Sequence, residues 1–330
     1  MKAIFSRAAV CLLGVFSLCV PSRLPAQESR SKQAGNVTIV GSGPYKAVME
    51  MDPTLPAHTV YRPDDLSALK GTSLPIVLWG NGACANSGNL FAPFLTEISS
   101  YGYLVIALGP ITELNAAGFP QFPGAPPIPP GANAGQLPAG LPANLPPPAT
   151  HPSQLIEAMN WALAENQRAE SKYYQRLNVR KIAVMGQSCG GVQALEVAAD
   201  PRITTAVIWN SGLFPKPTAM GGGKVMSKDD LKSLHAPVAY ISGDAQDIAF
   251  VNAEDDFEHI SLIPILRAYE RGIGHGGTYR DPNGGEFSGV AIAWLNWQLK
   301  SDERAGLMFK GPNCGLCVDP RWVVRKKNID

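Results

Sequence analysis

The sequence predicts an α/β fold built on a mostly parallel central sheet with helices on both faces. Three observations carry this. Short, wholly apolar runs alternate with helical patterns from about residue 74 onward, as buried parallel strands and their crossover helices do. One of those strands runs straight into a glycine-rich turn and then a helix. The 330 residues, 45% of them hydrophobic, supply a core large enough for one large domain or two ordinary ones and exclude global disorder. A net charge of +1, from 28 Lys+Arg against 27 Asp+Glu, gives no electrostatic footprint for a nucleic-acid partner.

Taken in order, the chain opens with a basic start (Lys2, Arg7), an apolar run from Ala8 to Val20, and Pro21 to Ala26 ahead of Gln27. That is the pattern of a secretory leader over residues 1–26, too short to span a bilayer, which takes about 20 apolar residues. Neither Cys11 nor Cys19 has the small-residue setting of a lipoprotein cleavage site. Loss of the leader removes Lys2, Arg7 and Arg23 and would bring the charge near −2. It also removes two of the six cysteines and leaves Cys84, Cys189, Cys314 and Cys317, an even set in an oxidising compartment. No later stretch is long and apolar enough to span a membrane.

Residues 27–330 are expected to form a single domain. Val37–Val40, Tyr45–Met49 and His58–Arg62 alternate like antiparallel strands. The apolar runs Leu74–Trp79, Leu104–Leu108, Lys181–Met185, Thr205–Trp209, Val238–Ile241 and about Ile263–Tyr269 predict the parallel strands. Helices are expected over Phe91–Ser99, from a Ser153 cap to about Glu165, over Gly191–Ala199, and over an amphipathic Phe287–Leu299 that would close the fold. Residues 311–330 read as a C-terminal tail carrying a C-x-x-C pair. The excess of Gly (33) and Pro (29) is partly local, because twelve prolines fall between Pro120 and Pro152. This stiff insertion, residues 118–152, follows the strand ending at Leu108 and so leaves the carboxyl end of the sheet, where open α/β folds bind ligands. It reads equally as a surface insertion or as a wall over a cleft.

Between the strand Lys181–Met185 and the helix from Gly191 lies Gly186-Gln187-Ser188-Cys189-Gly190-Gly191, a G-x-S-x-G match in its strand–turn–helix setting. The turn is tight enough that a Cβ on either flank would clash, so glycine raises Ser188 above the sheet edge as a nucleophile. A serine hydroxyl needs a base, and the chain order for this arrangement is Ser, acid, His. That order excludes His58 and His151. His235 precedes a strand at the wrong end of the sheet, and His259 lies in a polar helical stretch. His275, in the loop Gly272–Gly277 after the final strand, is the candidate base. The acid should follow Val238–Ile241. Asp247 is preferred over Asp244, because the loop must travel several residues to reach the imidazole. Asp244 is the second candidate acid, and reads otherwise as a cap of the turn.

The oxyanion formed at the acyl carbon needs two amides. Cys189, at the helix start, supplies one. The loop Gly80-Asn81-Gly82-Ala83-Cys84 after Trp79 supplies the other, from Gly82 or Ala83, with Ala83 favoured. Cys84 and Cys189 are thereby neighbours. With Cys314 and Cys317 closing locally, the expected bridges are Cys84–Cys189 and Cys314–Cys317, against two buried free thiols. No third or fourth ligand completes a zinc site around Cys314 and Cys317, so no metal is expected. Trp79, Phe91, Trp209 and Tyr279 flank predicted loops and read either as cleft walls or as core.

Gly-Gln-Ser188-Cys-Gly, Asp247-Ile-Ala and Gly-His275-Gly-Gly resemble the nucleophile, acid and base segments of the α/β-hydrolases. More closely, residues 37–300 are similar to secreted serine esterases of the cutinase-like polyester hydrolase and dienelactone-hydrolase-like groups. The oxyanion loop lacks the His-Gly start common in lipases, and the Pro-rich insertion is not usual in those small enzymes. The resemblance implies an α/β-hydrolase fold and a secreted or periplasmic carboxylester hydrolase working through an acyl-enzyme. It also implies no cofactor, a small or polymeric ester substrate, and a monomer that neither binds nucleic acid nor inserts stably in membranes. An acyltransferase or peptidase on the same triad, or a non-catalytic binding module, is the alternative.

Overall fold

A computed structural model describes residues 37–69, 71–114 and 147–330. The expected leader, 1–26, and most of the expected insertion, 118–152, lie outside the described residues. Ten strands form one sheet: β1 (Val37–Ile39), β2 (Ala47–Glu50), β3 (His58–Pro63), β4 (Leu74–Gly80), β5 (Leu104–Leu108), β6 (Leu177–Gln187), β7 (Thr205–Trp209), β8 (Val238–Gly243), β9 (Ile265–Glu270) and β10 (Trp322–Lys327). Their spatial order is β1-β2-β3-β5-β4-β6-β7-β8-β9-β10. The run from β5 to β9 is parallel. The strands β1 to β3 at one end, and β10 at the other, pair antiparallel. The chain is thus α/β with a mostly parallel sheet.

The helices are α1 (Ala92–Ser100), α2 (Pro152–Gln167), α3 (Cys189–Val197), α4 (Phe250–His259) and α5 (Gly285–Lys300), followed by the single turns α6 (Glu303–Gly306) and α7 (Gly315–Val318). Alternation along the strands sorts them into two layers. Ile76, Leu78, Ile106 and Val184 pack with Leu155 and Met159 of α2, Leu195 of α3 and Phe257 of α4. Val77, Trp79, Val105 and Met185 pack with Phe94 and Ile98 of α1 and with Val290 and Trp294 of α5. Among the described residues no helix is long and apolar enough to cross a membrane.

Three expectations are corrected. Helix α2 is capped by His151, which exchanges hydrogen bonds with Gln154 in a capping box, and Ser153 lies inside the helix. Pro152 at the first helical position loses no hydrogen bond there, so the start falls one residue before Ser153. Helix α3 begins at Cys189, two residues before its predicted start at Gly191. The fold does not close on α5. The tail returns as β10 and pairs along its whole length with β9. Its Arg325, Lys326 and Lys327 are residues that protect an edge strand from further pairing, and they disguise a strand in sequence.

Candidate active site

Strand β6 delivers Ser188 between its last residue, Gln187, and the first residue of α3. Ser188 holds φ 54° and ψ −121°, a conformation rare for a residue with a Cβ. Packing enforces it. A Cβ on Gly80 would lie 2.7 Å from the Gly190 carbonyl oxygen, and one on Gly186 would strike that same carbonyl. β4, β6 and α3 therefore meet backbone to backbone. The Ser188 amide donates to the Trp209 carbonyl at 3.0 Å, and the Ser211 hydroxyl donates to the Ser188 carbonyl at 2.6 Å. The elbow is thus held from the neighbouring strand as well.

The other two candidates arrive on loops that follow β8 and β9. Gly243 and Ile273 touch so closely that a Cβ on Gly243 would strike the Ile273 carbonyl, and the Asp244 amide donates to that carbonyl at 3.0 Å. The two loops thus travel together. His275 Nε2 lies 2.9 Å from Ser188 Oγ, and its Nδ1 lies 2.6 Å from Asp247 Oδ1. Asp247 is 3% exposed and His275 6%, while Ser188 is half-buried at the mouth. The Asp247 Oδ1 also accepts from the Ala249 amide at 2.9 Å. The Gln187 side chain donates to the His275 carbonyl at 3.1 Å and so fixes the base loop to the elbow. Asp244 caps the turn, accepting the Gln246 and Gly272 amides at 3.1 and 2.7 Å. The remaining histidines are elsewhere: His58 bonds to the Gln154 carbonyl of α2, His151 to the Gly222 carbonyl, His235 to the Ile203 carbonyl, and His259 along α4.

The oxyanion candidates converge on the same corner. Cys189 opens α3, where amides have no intrahelical acceptor. Ala83 is exposed and held at φ 56°, while Gly82 is buried against Gln187, whose Oε1 a Cβ would strike. Cys84 and Cys189 form a disulfide, and Cys314 and Cys317 form the second. Thr150 donates its amide and hydroxyl to the Cys84 carbonyl, each at 3.1 Å, and Gln193 of α3 donates to the Thr150 carbonyl at 2.7 Å. Thr112 is bonded to Asn89, its amide donating at 3.0 Å. Thr112, ahead of the Pro-rich insertion, and Thr150, near its end, are therefore both fastened to the 84–89 loop.

A pocket opens beside Ser188 and His275, walled by Val192, Phe214, Met220 and Ile248, with Asn252 also in its lining. Its Leu213 segment is tied from below. Asp256, wholly buried, accepts the Leu213 amide at 2.8 Å and the Lys228 ammonium at 2.6 Å. Burial pushes the Asp256 carboxyl up to about 6 against the pull of Lys228. Trp79, Phe91, Trp209 and Tyr279 do not line this pocket. They are buried and stack edge-to-face beneath the site, with Tyr279 5.1 Å from both Phe91 and Phe94. Asn210, which the sequence reading missed, touches Asp247 directly, its side-chain amide donating to Oδ2 at 2.8 Å. The available signal is the turn-forming string Asn210-Ser211-Gly212 at the carboxyl end of β7.

Among the described residues no group of three or more His, Cys, Asp or Glu side chains is arranged to hold a metal ion. The arrangement offers a half-buried hydroxyl in line with an imidazole and a buried carboxylate, beside free helix-terminal amides and an apolar pocket. Chemically, that is equipment for nucleophilic attack on an acyl carbon. No protein-family model matches the chain, and no curated protein matches it in sequence.

Proposed function

We propose that this chain is a secreted serine carboxylester hydrolase with an α/β-hydrolase fold. The observation that carries this reading is the hydrogen-bonded series Ser188–His275–Asp247, at 2.9 and 2.6 Å, at the carboxyl ends of parallel strands. In this reading Ser188 Oγ attacks the ester carbonyl carbon while His275 Nε2 takes its proton. Asp247 holds the Nδ1–H and stabilises the imidazolium. The amides of Cys189 and of Ala83 (or Gly82) hold the oxyanion. Collapse expels the alcohol, which receives the proton from His275. Water, activated by the same imidazole, then releases the acid from the acyl-Ser188 ester. The apolar walls at Val192, Phe214, Met220 and Ile248 support an apolar group on one side of the ester. The leader 1–26 and the paired cysteines support an oxidising compartment.

Hydrolysis of p-nitrophenyl butyrate by the purified chain tests the reading. Ser188→Ala and His275→Ala should each lower kcat by about 10³-fold or more. A fluorophosphonate should label Ser188 and no other residue. Full activity in Ser188→Ala would falsify the assignment.

A further inference from the structure

Asn210 is the first residue after β7. It is wholly buried and held at φ 41°, in the left-handed region that asparagine tolerates better than most residues. Its side chain touches three groups. Nδ2 donates to Asp247 Oδ2 at 2.8 Å and to the Gly274 carbonyl at 3.3 Å, while Oδ1 accepts from the Tyr279 hydroxyl. Gly274 immediately precedes His275. One amide group therefore joins the acid loop, the base loop and the end of β7.

Its orientation matters. An amide has a donating end and an accepting end, and a carboxylate accepts only. Were the amide turned round, its oxygen would face the Asp247 carboxylate and repel it. The Asp247 carboxylate and the Gly274 carbonyl only accept, so they hold the donating end toward the loops, and the accepting end faces the hydroxyl of Tyr279. The Tyr279 ring is locked among Trp79, Phe91, Phe94 and Phe287, so the hydroxyl has one place to point. Burial, and then the Asp247 charge, hold the phenol well above its usual range, so it remains a donor. With Oδ1 occupied by Tyr279, both Nδ2 hydrogens face the loops.

We propose that Asn210, bonded to the Tyr279 hydroxyl, is a positioning residue that holds the Asp247 carboxylate aligned on His275. The proposal rests on the triad reading above. Asp247 Oδ1 serves His275 and the Ala249 amide, and Oδ2 is left to Asn210. Removing the amide frees the carboxylate to rotate and leaves a buried charge short of a donor.

The test is the pH profile of kcat and KM on p-nitrophenyl butyrate for the full chain and for Asn210→Asp, Asn210→Ala and Tyr279→Phe, with Ser188→Ala as control. Asn210→Asp and Asn210→Ala should lower kcat roughly 10- to 100-fold with KM little changed. In Asn210→Asp the acid limb should also move to higher pH, because a second negative charge beside the pair favours the imidazolium. Tyr279→Phe removes one atom from a packed ring and should lower kcat about 3- to 10-fold at unchanged KM. Variants that lose thermal stability but keep the wild-type kcat and pH profile would overturn the proposal and leave Asn210 a structural tie. Should neither Asn210 variant fold, Tyr279→Phe decides, and wild-type kinetics there overturn the proposal too. Failure of the underlying reading is distinct, since it would show as activity in Ser188→Ala.

Discussion

Cys84–Cys189 and Cys314–Cys317 close loops of very different size. The first joins residues 105 apart in sequence and the second residues 3 apart. In the chain-entropy account the larger loop restrains the unfolded chain by about 4.7 kcal/mol and the smaller by about 2 kcal/mol. Their settings differ as well. Cys84 and Cys189 sit in the loop after β4 and at the start of α3, on both sides of the proposed oxyanion hole, and both are buried. Cys314 and Cys317 belong to the α7 turn, where the Cys317 amide already bonds to the Cys314 sulfur at 3.2 Å. One bridge ties elements that nothing local would bring together. The other tightens a turn whose ends are adjacent anyway. The lesson is that the candidate-site end of the sheet is braced by a long-range disulfide, and the tail by a local one.

The largest effect should follow from breaking the long-range bridge. The double variant Cys84→Ser/Cys189→Ser is expected to lose about 4 kcal/mol in urea unfolding. Its kcat on a p-nitrophenyl ester should fall at least about 10-fold, because both donor loops lose their common anchor. Unchanged kcat would separate the bridge from the site. Next comes the tie beneath the pocket. Asp256→Ala leaves the Leu213 amide without its acceptor and takes one of two carboxylates from Lys228, which keeps Asp255 at 2.9 Å, and should cost about 2 kcal/mol. KM should rise as the Leu213–Phe214 segment loosens. A stability loss with no change in KM would confine Asp256 to the scaffold.

The same distinction between local and long-range explains what was legible in the sequence. β5 and β7 occupy the ranges of their apolar runs, because a strand buried on both faces must be apolar throughout. Ser188 was legible because glycines flank it for a steric reason, and His275 because chain order leaves few histidines. Asn210 was not, since its role comes from where β7 ends relative to the loops after β8 and β9. β10 was hidden by its own protective charges. The four aromatics near the site were ambiguous, because a large ring beside a loop suits a cleft and a core equally. Packing from α1 and α5 decides for the core.

Glu270 allows a test on the tail side. It ends β9 opposite Trp322, is 5% exposed, and leaves Oε2 without a hydrogen-bond partner among the described residues. Burial, then the Glu286 carboxylate, push its carboxyl up to about 7. Below about pH 4.5 the folded and unfolded chains both hold this proton, and the contribution to stability is fully present. As pH rises toward 7 the unfolded chain releases it while the folded chain keeps it, so stability falls, by at most about 3 kcal/mol. Thermal melts between pH 4.5 and 7.5 should show that decline in the wild type and a flatter curve in Glu270→Gln. Identical slopes would remove Glu270 as its source.

The smallest effect should come from Cys314→Ser/Cys317→Ser. The tail has other attachments that survive the change. β10 keeps its full ladder to β9, the Gly315 and Leu316 amides donate to the Leu307 and Met308 carbonyls at 3.0 and 3.1 Å, and Leu316 and Trp322 stay in the core. The loop entropy removed is that of a single turn. The expected loss is no more than about 2 kcal/mol in urea unfolding, with kcat and KM unchanged. This variant bears most directly on the contrast between the two ends of the molecule. A fall in kcat would show that the tail is coupled to the loops of the candidate site through β9, whose end leads to His275. Wild-type kinetics beside an impaired Cys84→Ser/Cys189→Ser would place the whole catalytic dependence on the long-range bridge.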